Sequence, residues 1–184
     1  MDFEKVLNII IRKFDENNID YALIGGFAIG LLGIMRATMD IDFLINKNNM
    51  LQVDEILKKY GYKCLYQSDY VAQYISDLKP LGTIDIIFAS KPISLEMLAQ
   101  AITIKLFNNS LNIKVLKPED IIAFKLQAII NDKSREIFDY SDIELLLDYY
   151  KKEIDWNKLK KYFGLFNLLD KYNDLKIRYG QINE

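Results

Sequence analysis

Near the N-terminus apolar residues recur at Phe3, Val6, Ile9, Ile10 and Phe14, the spacing of one helix face, and predict an amphipathic helix over 3–17. "YALIG", from Tyr21, predicts a buried strand running into a Gly25-Gly26 turn, and "FAIGLLG" a short, mostly buried helix ending at Gly33. "DIDFLIN" predicts the next strand; "MLQVDEILKKYGY" predicts a helix stopped by Gly61. Strands are expected at about 62–67, 70–76 and 83–88, a helix around Leu95–Ala101, and a hairpin in "ITIKLFNNSLNIKVL" across Asn108-Asn109-Ser110. From Pro118 onward only helical periodicity remains. "PEDIIAFKLQAII" starts with proline and carries acids in its first turn, "SREIFDYSDIELLLDYY" follows, and two further helices are expected at about 156–163 and 165–178. The fold class is therefore α/β (α+β): a mixed β-sheet flanked by helices over 1–116, with a helical region, 117–184, packed on that core.

Composition narrows the chemistry. With 184 residues, 51% hydrophobic, the chain can bury a substantial core. The uncharged run from Tyr21 to Met35 is shorter than the roughly 20 residues that span a bilayer, so no membrane segment is expected. No secretory leader is visible in "MDFEK", and a lone cysteine, Cys64, fits a reducing cytoplasm. The absence of histidine removes Ser-His-Asp and Cys-His nucleophile systems and His-ligated zinc. Any metal must be a hard cation held by oxygens. A net charge of −2 provides no broad nucleic-acid footprint, although Lys151, Lys152, Lys158, Lys160 and Lys161 can form a local basic face.

Against that background the strand "DIDFLIN" is anomalous. Side chains alternate along a strand, so Asp40 and Asp42 share one face while Ile41 and Phe43 take the other. Two carboxylates on one face repel unless a divalent cation lies between them. Asp85, in "TIDIIFA", has the same apolar flanks; if its strand lies beside "DIDFLIN", three carboxylates converge. Such a set suits a Mg²⁺ (or Mn²⁺) site for in-line displacement at phosphorus. A strand-to-helix turn with two glycines lets amide N–H groups approach phosphate oxygens, with the positive end of the following helix behind them.

"IGGFAIGLLGIMRATMDIDFLI" resembles the signature of the DNA polymerase β-like nucleotidyltransferase superfamily: an apolar-Gly-Gly/Ser turn, a spacer, and an Asp-x-Asp with apolar flanks. Arg36 and Thr38 ahead of the aspartates, and "LKPEDIIAFKLQAIINDKSREIFDYSDIELLL", are similar to the abortive-infection (AbiEii-type) toxin branch. The likeness extends over roughly 18–148. It implies a nucleotidyltransferase-like core and the following roles: Gly25 and Gly26 hold nucleotide phosphates, and Asp40 and Asp42 bind both metal ions. Asp85 would bind the catalytic ion and help activate the acceptor hydroxyl. Lys125 would reach the phosphates with Asp139 orienting it, and Arg36 and Thr38 would order the loop or touch phosphate. Two positions depart from the pattern: Gly26 where many members have Ser, and Glu136 in the Arg-containing turn, which leaves the role of Arg135 open.

The expected activity is transfer of an NMP from an NTP to an acceptor hydroxyl, with pyrophosphate released. The acceptor would be tRNA or protein in a toxin-antitoxin-like setting with an antitoxin partner. The alternatives are an antibiotic-type small-molecule transferase and a non-catalytic nucleotide-binding or regulatory protein on the same fold. A glycosyltransferase using Asp-x-Asp is disfavoured by the chain's length and the place of the Gly-Gly turn.

Overall fold

The computed structural model describes residues 1–180. The chain divides into two compact units, residues 1–116 and the region from Lys117 onward. The first contains α1 (Phe3–Glu16), β1 (Tyr21–Ile24), α2 (Gly25–Leu31), β2 (Asp40–Asn46), α3 (Met50–Lys59), β3 (Lys63–Gln67), β4 (Val71–Ile75), β5 (Thr83–Ala89), α4 (Pro92–Ala99), β6 (Ile102–Leu106) and β7 (Leu111–Val115). Its seven strands form one mixed sheet in the order β3-β4-β5-β2-β1-β7-β6. The β2–β5 and β1–β7 pairs are parallel and the others antiparallel.

Helix α1 starts where Asp2 accepts a hydrogen bond from the Lys5 N–H, 3.1 Å away, satisfying one of the first-turn amides. Its apolar stripe buries Val6, Leu7, Ile10, Ile11 and Phe14. Phe14 meets Tyr21 of β1 and Phe43 of β2, with ring centroids 5.6 and 5.4 Å away. Fully burying each such side chain contributes about 1.5–3 kcal/mol. The packing fixes the sheet's orientation: Phe43 goes into the core, so its strand neighbour Asp42 emerges on the other face.

Some expected boundaries shift for identifiable reasons. Helix α4 begins at Pro92 rather than near Leu95, because proline is pre-set for the first helical position and lacks the N–H that would go unpaired there. The turn between β6 and β7 takes in Phe107 as well as Asn108 and Asn109, all three at positive φ.

The second unit contains α5 (Pro118–Asn131), α6 (Glu136–Tyr149), α7 (Trp156–Leu165) and α8 (Leu169–Tyr179). The helix expected from Ser134 begins at Glu136. Asp132 accepts from both the N–H and the hydroxyl of Ser134, which holds residues 133–135 in a separate 3-10 turn. The first-turn acids of α5 are buried and used across the unit. Asp120 receives Lys158 Nζ at 2.7 Å and the Tyr162 hydroxyl, while Glu119 accepts the Asp155 N–H at 2.8 Å. Lys158 is thereby removed from the basic face expected of the C-terminal helices. Among the described residues no helix is long and apolar enough to cross a membrane.

Candidate active site

Asp40 and Asp42 stand half-buried on one face of β2, while Ile41 and Phe43 are buried on the other. Strand β5 runs parallel beside β2 with Asp85 paired to Asp42, and residues paired in adjacent strands share a face. One oxygen from each of the three carboxylates lies within 4.8 Å of the other two. Burial raises the Asp85 pKa above the usual carboxylate range, and the neighbouring charge of Asp40 adds to the effect. A hydrogen bond from Gln73 opposes it by favouring the ionised form. Gln73 Nε2 donates to Asp85 Oδ1 at 2.9 Å. Gln73 is a site residue that sequence reasoning missed: its place depends on β4 pairing with β5 so that Gln73 faces Asp85.

Gly25 does more than permit a turn. Strands β1 and β2 pair antiparallel with Ile24 opposite Asp42, so the residue after Ile24 crosses in front of the Asp42 carboxylate. Gly25 has φ +70°, and a Cβ there would lie 2.0 Å from Asp42 Oδ2 and 2.6 Å from its Cγ. Only glycine combines that backbone angle with room for the carboxylate. Helix α2 starts at Gly25 itself, not after Gly26, and is seven residues long. The glycine amides therefore belong to its first turn, where N–H groups have no intrahelical acceptor.

Thr38 donates its hydroxyl to Asp40 Oδ1 and also stands against Gly26, where a Cβ would come 3.1 Å from Thr38 Cβ. A serine at position 26 would require Thr38 to yield by a few tenths of an ångström. Arg36 is exposed and donates Nη1 to the Ala37 carbonyl at 2.8 Å.

The set fits a hard divalent cation. Every donor is a carboxylate oxygen, the three share a space of coordination size, and a backbone cradle without a Cβ keeps Asp42 in place. A sequence model of uncharacterised nucleotidyltransferases matches residues 3–170. The chain belongs to that nucleotidyltransferase family. It is accordingly an enzyme of the nucleotidyltransferase class.

A search of curated proteins finds no similar sequence. Solved structures share the fold of this nucleotidyltransferase at low identity. The solution structure of the antibiotic-resistance factor ANT(2'')-Ia is 17% identical, covers 97% of this chain and 98% of its own, and superposes with a TM-score of 0.67. The lincosamide antibiotic adenylyltransferase LnuA, bound to lincomycin, is 19% identical over 78% of this chain and 95% of its own, with a TM-score of 0.54. An antigenic nucleotidyltransferase-like protein from Paracoccidioides brasiliensis is 22% identical over 95% and 90%, with a TM-score of 0.57.

In the nucleotidyltransferase's helical unit, Lys125 and Asp139 are brought together. Lys125 is buried, its Nζ lying 2.8 Å from Asp139 Oδ1 and 2.6 Å from Asp142 Oδ2. Arg135 Nε reaches Asp139 Oδ2 at 2.9 Å, one helical turn away. Burial pushes the Asp139 carboxyl up, but hydrogen bonds from Lys125 and Arg135 outweigh it and hold its pKa below the ordinary value. Lys125 is thus neither solvated nor on the helix surface. Asp142, four residues before Leu146 on the buried face of α6, joins the pair.

Proposed function

We propose that the protein is a metal-dependent nucleotidyltransferase moving an NMP from an NTP to an acceptor hydroxyl. The observation that carries this reading is the register of Asp42 against Asp85, beside a glycine whose missing Cβ makes room for Asp42. Asp40, Asp42 and Asp85 would hold Mg²⁺ or Mn²⁺. When bound, the cation neutralises charge gathering on the phosphates and favours the ionised acceptor oxygen. Gly25 and Gly26 present first-turn amides to phosphate oxygens. Thr38 fixes the Asp40 carboxylate, and Gln73 fixes that of Asp85. The acceptor oxygen forms its bond to the α-phosphorus as the bond to the β-phosphate oxygen breaks; pyrophosphate departs, and the hydroxyl proton passes to Asp85 or to solvent. Lys125, oriented by Asp139, and Arg36 are assigned to the phosphates on the family resemblance.

The resemblance to abortive-infection toxins supports a tRNA or protein acceptor and an antitoxin partner. The small-molecule reading has a specific observation in its favour: the sheet face that continues outward from Asp85 exposes Tyr66, Val71 and Ile75 around Gln73. Incubation with α-labelled NTPs, with and without Mg²⁺ or Mn²⁺, against RNA, protein and small hydroxyl compounds tests the reaction. Metal-dependent label transfer with pyrophosphate release is expected. Equal NTP affinity in EDTA and in Mg²⁺ would overturn the metal-site assignment.

A further inference from the structure

Resting on the nucleotidyltransfer reading, we propose that the outward face of β3, β4 and β5 is the acceptor platform, and that it takes a neutral, ring-bearing hydroxyl compound. The strand register arranges this face in rows. Asp42, Asp85, Gln73 and Tyr66 form one row across β2, β5, β4 and β3. Leu44, Ile87 and Val71 form the next, and Asp40, Thr83, Ile75 and Lys63 the one on the other side. The metal-site carboxylates therefore share a surface with Tyr66, Val71 and Ile75.

A sheet face open to water is ordinarily polar at its outward positions. Here Tyr66 is 58% exposed, Val71 38% and Ile75 36%, and Ile87 is half-buried between them and β2. A β-bulge between Cys64 and Tyr66 shifts the register and seats Tyr66 opposite Gln73. Without that shift the ring would turn to the other face. These exposed apolar side chains are grouped around Gln73, the partner of Asp85, and their junction with the candidate active site marks a binding surface.

Charge selects the ligand class. Outside the triad these rows contain no carboxylate to pair with a polycationic aminosugar. Among the described residues their single cation, Lys63, is ion-paired with Asp77. Lys47, near the end of the platform, pairs with Asp69 at 3.1 Å. Outside the triad the platform's charges thus come in opposite-sign pairs and leave no net charge to attract a polycation or the phosphate backbone of an RNA. A neutral ring can lie on Tyr66, with its apolar edge on Val71 and Ile75 and a hydroxyl directed along the row to Asp85.

The test uses 4-nitrophenyl β-D-glucopyranoside, a neutral aromatic glycoside, titrated into the full ¹⁵N-labelled chain with Mg²⁺ and α,β-methylene-ATP present. Amide shifts should cluster in Cys64–Gln67, Val71–Ile75 and Thr83–Ile87. Tyr66→Ala should weaken glucoside binding about three- to ten-fold while the affinity for Mg²⁺–nucleotide stays at the wild-type value. Ile75→Glu, also on an exposed position, should weaken it too, so that a folding defect in one variant does not decide the matter. The proposal is overturned if the shifts are absent or lie elsewhere. It is equally overturned if tobramycin or tRNA perturbs this face more strongly than the glucoside, or if sedimentation reveals a dimer that buries it. Should Mg²⁺–nucleotide fail to perturb Gly25, Gly26 and the triad while the glucoside still shifts the platform, the nucleotidyltransfer reading fails and the binding surface stands.

Discussion

Replacing Gly25 with alanine isolates the geometric demand of the site, because the added methyl is apolar, small and uncharged. Two penalties combine. An L-residue at φ +70° meets its own backbone, which costs about 1–2 kcal/mol. The new Cβ also begins 2.0 Å from Asp42 Oδ2. Reaching van der Waals separation requires the carboxylate to withdraw by roughly 1.4 Å or swing off its rotamer, at about 0.5–1.5 kcal/mol. Gly25→Ala should therefore lower stability by roughly 1.5–3.5 kcal/mol, read by urea denaturation. A displacement of about 1 Å at a reacting centre costs on the order of a hundred-fold in rate. Turnover should fall by that much, and Mg²⁺ affinity by calorimetry should fall with it. Gly26→Ala is the matched control. Its φ is not positive and its Cβ would press on Thr38 at 3.1 Å, with Arg36 Cγ in ordinary contact at 3.9 Å, so both effects should be markedly smaller. If Gly25→Ala retains wild-type stability and Mg²⁺ affinity, the cradle argument is wrong. If both variants behave alike, the cost belongs to turn flexibility and not to Asp42.

Asp85→Asn should leave Mg²⁺–NTP affinity within a few-fold while cutting turnover by about a hundred- to a thousand-fold, the scale of losing one transition-state electrostatic contact; single-turnover kinetics at the wild-type rate would remove Asp85 from the reaction. Because burial and Asp40 raise the Asp85 pKa, its protonated form stabilises the metal-free fold at low pH, and that stability is lost as pH rises through the raised pKa. Metal competes with the same proton, so Mg²⁺ affinity should decline on acidification in a window above the ordinary carboxylate range. Gln73→Leu deletes the hydrogen bond favouring the carboxylate and should move that decline to higher pH; an unmoved profile would show that Gln73 does not tune Asp85. Lys125→Ala leaves Asp139 and Asp142 buried without their common cation and should cost about 3–5 kcal/mol in chemical denaturation. Its assignment to the phosphates further requires a raised KM for NTP in the folded fraction; an unchanged KM would leave Lys125 with the structural ion pair alone. Asp139, with its pKa depressed, contributes stability that is present above the unfolded-state value and is lost as pH falls through the folded one, so this unit should weaken on acidification below the ordinary carboxylate range.

The sequence was most readable where a side chain's role follows from its own strand. Alternation alone put Asp40 and Asp42 on one face and Phe43 in the core, and the matching flanks of Asp85 marked it as their partner. What could not be read depends on neighbours supplied by distant segments. Tyr66 and Gln73 come to share a face with Asp85 only through the order β3-β4-β5 and the bulge after Cys64, and a bulge has no reliable composition signal in "KCLYQ". The steric reason for Gly25 requires knowing that Ile24 pairs with Asp42. In the helical unit, Glu119 and Asp120 look like ordinary first-turn acids complementing a helix dipole. Their burial against Asp155, Lys158 and Tyr162 is a tertiary fact that helix periodicity does not encode. Pro92 was a missed boundary with a local cue, as was the Asp132–Ser134 turn ahead of α6.

The pairing of Asp42 with Asp85 makes the site a matter of parity. Inserting one residue between Thr83 and Asp85 would rotate the third carboxylate to the opposite side of the sheet, beside Phe43. The same insertion in the exposed Asp77–Lys79 turn changes only the length of a connection. As such sequences diverge, length variation is free to accumulate in the turns, while within β2 and β5 only even steps preserve the chemistry. A relative whose strand is out by one can keep every aspartate, align without a visible fault, and have no metal site at all.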